Sequence, residues 1–248
     1  MFTAKLAEPR LLTSITSILS DFVTEASFSF QKEGIKLLAL DPANIAMVIL
    51  NILPSAFVEY KVEQPVDLTI NIEALKQVIK RAKPTDSVSL TLDKNRLKVT
   101  IIGKSIKNFF IPLLEREGKE RKIPNLEFMA TIELDATEFR DYIDDAAIAA
   151  DAIIFESNKN AFTLSAGDMG SKVQIELTKG SDPLFQLAST DSVRAMYSIE
   201  YLKKMARAAT IAETVTIQFA NDYPLKLDFK SLNRAQISFI LAPRIENK

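Results

Sequence analysis

Ile72-Glu73-Ala74-Leu75-Lys76 returns as Ile199-Glu200-Tyr201-Leu202-Lys203, 127 positions later in a chain of 248 residues. The same offset carries Lys80 onto Arg207, Asp86 onto Glu213 and Val88 onto Val215. Earlier in the chain it carries Phe28 onto Phe155, Leu37 onto Leu164, Ala39 onto Ala166 and Asp41 onto Asp168. Matches over so long a span with no gap point to a duplicated unit, and a repeat decides the fold before any single element does. The plainer alternative is that short amphipathic segments of equal period pair by chance.

Around these matches each half reads as the same series of elements. Leu11, Ile15, Ile18 and Phe22 follow the spacing of one helical face, with Pro9 where a first-turn proline is tolerated. Alternation then predicts strands at 27–30, 35–40 and 45–53, with Lys32-Glu33-Gly34 as the turn between the first two. After a strand at 66–72, Leu75, Val78, Ile79 and Ala82 mark a helix over 73–83 that Pro84 closes. Strands at 87–92, 96–102 and 107–114 complete the half. The second half repeats this, with helices at 136–147 and 200–208. Strand-rich units with two helices each make the fold class α+β. Expected domains are 1–114 and 128–248, joined by a connector at 115–127. Its stretch Glu115-Arg116-Glu117-Gly118-Lys119-Glu120-Arg121-Lys122 reads as solvated.

Composition excludes much enzymology. The chain has no cysteine and no histidine, which removes disulfides, thiolate metal sites, a Cys nucleophile and the commonest general base. No Gly-rich phosphate loop, G-x-S-x-G or Walker-type lysine is present. No cofactor, no metal and no catalytic residue is expected. No apolar run approaches bilayer length and the first ten residues lack a signal-peptide block, so a soluble, intracellular protein with no membrane partner is expected. The net charge of −1 argues against bulk electrostatic grip on nucleic acid, and any such contact must be local.

Positive charge is nevertheless concentrated. Lys76, Lys80 and Lys83 stand off the apolar face of one repeated helix, and Lys203, Lys204 and Arg207 on its mate. Lysines without base-reading side chains would contact phosphates with no sequence preference. The alternative is an ordinary solvated face. The rival cluster is Asp141, Asp144 and Asp145, which could serve a metal-dependent hydrolase, although no histidine and no glycine-bearing calcium loop accompanies it.

The chain resembles the proliferating cell nuclear antigen family, the sliding clamps of archaea and eukaryotes. The resemblance is carried by Met1-Phe2-Thr3-Ala4-Lys5-Leu6, by Gly34-Ile35-Lys36-Leu37-Leu38-Ala39-Leu40-Asp41-Pro42, by Ile123-Pro124 and by Leu241-Ala242-Pro243-Arg244-Ile245-Glu246. It runs the length of the chain, and the lack of Cys, His and Trp leans toward an archaeal, cytoplasmic member. It implies two tandem copies of the DNA-clamp fold, antiparallel sheets outside and two helices per domain inside, three chains closing into a pseudo-sixfold ring around duplex DNA. Edge strands near 107–115 of one chain and 172–178 of the next would pair. The ring would serve as a processivity factor.

The resemblance also implies site residues and partners. DNA would face Lys76, Lys80, Lys83, Lys203, Lys204 and Arg207, with Arg10 and Arg140 as weaker members, since Arg140 lies amid Asp135, Glu138, Asp141, Asp144 and Asp145. A partner peptide carrying a glutamine and an aromatic pair would dock on Leu40, Asn44, Met47, Ile123, Pro124, Leu126, Pro224, Ile240, Leu241, Ala242 and Pro243. Read without the family, Leu40, Met47 and Ile240 would be core. Implied partners are two further clamp subunits, like or unlike, DNA polymerase, clamp loader, flap endonuclease and DNA ligase. A checkpoint-type clamp subunit is the alternative within the same fold.

Overall fold

The computed structural model describes residues 1–115, 122–168, 170–189 and 192–245. Residues 116–121 of the charged connector and Glu246 of the C-terminal motif lie outside them. Alternation and helical period, set out along the sequence, become two copies of one element series. The first half gives β1 (Phe2–Leu6), α1 (Arg10–Leu19), β2 (Glu25–Gln31), β3 (Gly34–Leu40), β4 (Ala46–Ile52), β5 (Glu59–Val62), β6 (Val66–Asn71), α2 (Ile72–Ile79), β7 (Ser87–Asp93), β8 (Arg96–Ile102) and β9 (Ile106–Pro112). The second gives β10 (Ala130–Asp135), α3 (Ala136–Ala146), β11 (Ala152–Ser157), β12 (Ala161–Gly167), β13 (Lys172–Thr178), β14 (Leu184–Ser189), β15 (Val193–Ser198), α4 (Ile199–Ala206), β16 (Thr214–Phe219), β17 (Leu225–Ser231) and β18 (Ala235–Leu241).

Strand order repeats as well. The first half runs β5-β1-β7-β8-β9 and β4-β3-β2-β6, and the second β14-β10-β16-β17-β18 and β13-β12-β11-β15. Pairings such as β7–β8, β8–β9, β11–β12 and β12–β13 are antiparallel, so the α+β reading holds. Two compact units result: Met1–Pro42, Val48–Lys122 and Leu232–Gln236 form unit 1, while Ala43–Met47, Ile123–Ser231 and Ile237–Lys248 form unit 2. Among the described residues no helix is long and apolar enough to cross a membrane.

Each unit's core follows from its pattern. In unit 1, α1 buries Leu11, Leu12, Ile15, Ile18 and Leu19 beside Leu75 and Ile79 of α2. The helix stops at Leu19, three residues short of Phe22, which is still buried. The β2–β3 turn needs Gly34, whose φ is +133° and whose missing Cβ leaves room for the Ile52 carbonyl oxygen. In unit 2, Phe155 sits among Phe162, Tyr197, Phe219 and Phe139, with ring centroids 5.6, 5.3, 6.0 and 6.5 Å away. Edge-to-face aromatic packing of this kind adds about 0.5–1.5 kcal/mol per pair beyond burial.

Candidate functional site

In unit 1 the basic residues lie on and beyond α2. The helix starts at an Asn71 cap, whose side chain accepts from the Ala74 N–H at 2.8 Å, and ends at Ile79 rather than at 83 as the periodicity predicts. Past Ile79 the N–H groups of Arg81 and Ala82 turn to the carbonyls three residues back, Val78 and Ile79, both at 3.0 Å. The cause is local. Pro84 disfavours helical backbone at Lys83, and the buried Asp86 carboxylate accepts the Lys83 N–H at 2.9 Å while the Asp86 N–H donates to the Lys83 carbonyl at 2.9 Å. Lys80, whose N–H still bonds the Lys76 carbonyl at 3.0 Å, therefore stays one helical turn from Lys76, while Lys83 stands in the turn beyond the helix. Both are exposed, and neither lies within ion-pair distance of a described carboxylate. Lys76 is half-buried and donates to Ser20 Oγ at 2.9 Å and Glu73 Oε2 at 3.2 Å. The hydrogen bond from Lys76 holds the Glu73 carboxyl below the usual range. Arg10 opens α1 and is exposed.

In unit 2 the equivalent helix pair is populated differently. Lys203 Nζ meets Asp144 Oδ1 of α3 at 3.2 Å, and Lys204 Nζ meets Glu200 Oε1 at 2.7 Å, which lowers the Glu200 pKa. Arg140 is paired with its neighbour Asp141 at 2.9 Å. Arg207 is exposed and opens a 3-10 turn, Arg207–Thr210, into which α4 passes after Ala206. Burial, then the hydrogen bond with Glu138, pushes Tyr142 on α3 up to about 12. The suspected metal cluster does not form. Among the described residues no three acidic side chains come together as a cation site; Asp141 and Asp144 instead face Arg140 and Lys203.

The residues assigned to a partner peptide divide into subsets. Within unit 2, the Ala242 N–H donates to the Ile45 carbonyl at 3.0 Å, which sets Asn44, Ile45 and Met47 against the C-terminal segment with Ala242 and Pro243. Phe128 packs edge-on to Tyr223 at 6.3 Å, which draws the segment holding Ile123, Pro124 and Leu126 toward Pro224. Ile123, Pro124, Asn44 and Ala242 are exposed; Met47, Leu126, Pro224 and Pro243 are half-buried. Ile240 and Leu241 are 7% and 0% exposed, so Leu241 contributes to the core of the free chain. Leu40 belongs to unit 1 and is half-buried. Sequence reading missed Ile45, which is 39% exposed and immediately precedes β4, two positions before Met47. It also missed Phe128 and Tyr223.

Among the strands that end their sheets are β9 and β13, each with one strand neighbour among the described residues. β9 pairs with β8, from Arg96↔Pro112 to Ile102↔Ile106, and β13 pairs with β12, from Ala161↔Thr178 to Gly167↔Lys172. Their alternation of exposed and half-buried residues is identical, with Lys107, Phe109 and Ile111 on the inward side of one and Val173, Ile175 and Leu177 on that of the other. The outward Phe110 lies beneath the Arg96 guanidinium at 4.6 Å.

Residues 1–112 match the domain described as "Proliferating cell nuclear antigen, N-terminal domain", and residues 122–244 the matching C-terminal domain. The chain belongs to the proliferating cell nuclear antigen family. A DNA polymerase sliding clamp of Nanoarchaeum equitans is 37% identical over 242 residues, covering 96% of this chain and 97% of that one. DNA polymerase sliding clamp 1 of Thermococcus kodakarensis is 33% identical, with 92% of each chain covered. Among solved structures of the family, A. fulgidus PCNA with the C-terminal region of FEN-1 bound has a TM-score of 0.92 at 30% identity, with both chains fully covered. The PCNA2–PCNA3 complex of Sulfolobus tokodaii gives 0.90 at 27%, covering 98% of this chain and 99% of that one.

Proposed function

We propose that the chain is one subunit of a DNA polymerase sliding clamp, a non-catalytic ring that encloses duplex DNA in the cytoplasm. Three subunits, like or unlike, join head to tail, β9 of one against β13 of the next. The reading is carried by these two edge strands of matching exposure, each with a single strand neighbour among the described residues, in a member of this family. A heterologous contact that closes makes a ring and removes both edges. The domains are 1–114 and 128–248 with 115–127 between them. Lys76, Lys80, Lys83, Lys203, Lys204 and Arg207, with Arg10 and Arg140 at the margin, face phosphates. Such contacts carry no sequence information, and the enclosure, not affinity, retains the protein.

A topological link makes a sharp test. Loaded by its clamp loader on nicked circular duplex, the protein is expected to survive a high-salt wash that dissociates charge contacts, and to be lost once the circle is cut. Equal loss from circular and linear DNA rejects enclosure. Replication and repair enzymes, namely polymerase, loader, flap endonuclease and ligase, dock through a short peptide on Leu40, Asn44, Met47, Ile123, Pro124, Leu126, Pro224, Ile240, Leu241, Ala242 and Pro243. Met47 and Pro243 are the informative positions, because Leu241→Ala would open a core cavity and confound binding with stability. Met47→Ala with Pro243→Ala is expected to weaken a peptide bearing a glutamine and two aromatics about tenfold, measured by calorimetry. Undiminished binding would remove the pocket assignment.

A further inference from the structure

The two helix pairs occupy the same place in their units but differ in charge. At the 127-residue offset, Ser14 and Ser17 of α1 become Asp141 and Asp144 of α3. Arg81 and Lys83, in the turn after α2, become Ala208 and Thr210. The matched lysines Lys76 and Lys203 both reach across to the adjoining helix. Across the helix pair Lys76 meets the uncharged Ser20 hydroxyl, its one acidic partner being Glu73 on its own helix, whereas Lys203 meets the Asp144 carboxylate of the adjoining helix. Lys204 and Arg140 also have acidic partners, Glu200 and Asp141. Lys80, Arg81 and Lys83 make no ion pair with a described residue, and the reciprocal Lys83–Asp86 hydrogen bonds fix the turn that carries them.

We propose that α3 is an electrostatic counterweight, in which Asp144 occupies Lys203 and withholds it from DNA phosphate. The turn at Lys80, Arg81 and Lys83 then supplies more of the hold on the duplex than Lys203, Lys204 and Arg140 do. This rests on the reading that both helix pairs face DNA. A phosphate approaching Lys203 must displace the Asp144 carboxylate, with Asp141 one turn back along the same helix. The pair is about half exposed, with side-chain exposures of 49% for Lys203 and 53% for Asp144. Ion pairs of that kind are weak, so Asp144 tempers the contact without abolishing it. A ring that must move along DNA gains from such an arrangement, because a looser hold on the phosphates shortens the time spent at one position. Arg81 follows as a phosphate-contacting residue that charge spacing on a helix did not single out.

The test is anisotropy of a labelled blunt duplex with the assembled protein over a salt series. Asp144→Ser, which restores the residue type of Ser17, is expected, for each subunit that carries it, to tighten binding about two- to fivefold and to steepen the log–log salt slope by close to 0.9. Adding Lys203→Ala to Asp144→Ser is expected to return both values to those of the unaltered protein. Unchanged affinity in Asp144→Ser overturns the proposal, and so does a gain that survives Lys203→Ala, since the acid would then act without occupying the lysine. Lys80→Glu with Lys83→Glu serves as the separate control. If that variant binds as well as the unaltered protein, the DNA-facing reading itself fails; if it binds poorly while Asp144→Ser shows no gain, only the counterweight fails. Melting curves confirm that each variant is folded.

Discussion

Lys80→Glu combined with Lys83→Glu is expected to lower affinity for linear duplex by about two orders of magnitude at low salt while leaving assembly intact. The change reverses two exposed charges per subunit at a turn held by backbone and by Asp86, so the fold has little stake in either side chain. Every lysine taken away from a phosphate lowers the log–log salt slope by close to 0.9, and the effect is multiplied by the number of subunits in the ring. The difference between variant and unaltered protein must therefore shrink as salt rises, because exposed charges more than about 10 Å apart are screened at 0.1 M. Anisotropy over a salt series gives both quantities. An affinity change that is independent of salt would mean a folding defect, and no change at all would remove the turn from the DNA-facing surface.

The duplication was legible because the elements that carry it keep a constant offset. β2, β3, β6 and α2 begin at 25, 34, 66 and 72, while their mates β11, β12, β15 and α4 begin at 152, 161, 193 and 199. Past β7 the ungapped comparison loses its hold for a structural reason. Asp93 and Arg96 are joined by a two-residue turn, whereas Phe219 and Leu225 are joined by five residues, so β17 and β18 start two positions late. β5, Glu59–Val62, was not legible because a four-residue edge strand with one buried side chain carries no readable period. β1 does alternate, with Phe2, Ala4 and Leu6 buried, but five residues are too few to separate pattern from accident.

Charge is easier to read than the geometry that uses it. Lys80 and Lys83 stand out on a count of charges, and helical spacing sets both on one stripe, yet the Pro84 and Asp86 chemistry that ends α2 leaves Lys80 at the helix end and puts Lys83 in the turn beyond it. The acidic run on α3 is visible as composition, but its partner is not. Asp144 and Lys203 are 59 positions apart, and only the packing of α3 against α4 makes them neighbours. The same holds for Phe128 and Tyr223, whose ring contact joins segments that no sequence period relates.

Ile175→Asp is expected to convert the assembled ring to single chains of 27.7 kDa in light scattering. β13 offers one side to β12 and leaves the other without a described partner, and so does β9 beyond β8. Edges of this sort are commonly blunted by an inward charge or a proline, because an exposed row of N–H and C=O groups invites any strand. The inward side of β13 has neither: it is Val173, Ile175 and Leu177, the first two half-buried. Such an edge is suited to being covered, and joining it to β9 would bring Phe109 and Ile111 to the same side. An aspartate there places an unpaired carboxylate in the seam, at a cost of several kcal/mol relative to a paired or solvated one. That lowers the association constant by about a thousandfold. Glu176→Lys, one position along but on the exposed face, is the control and should disturb assembly far less. Circular dichroism separates a folded single chain from an unfolded one. Should the folded Ile175→Asp protein keep the mass of the ring, β13 is not the joining edge, and closure must run through a different surface.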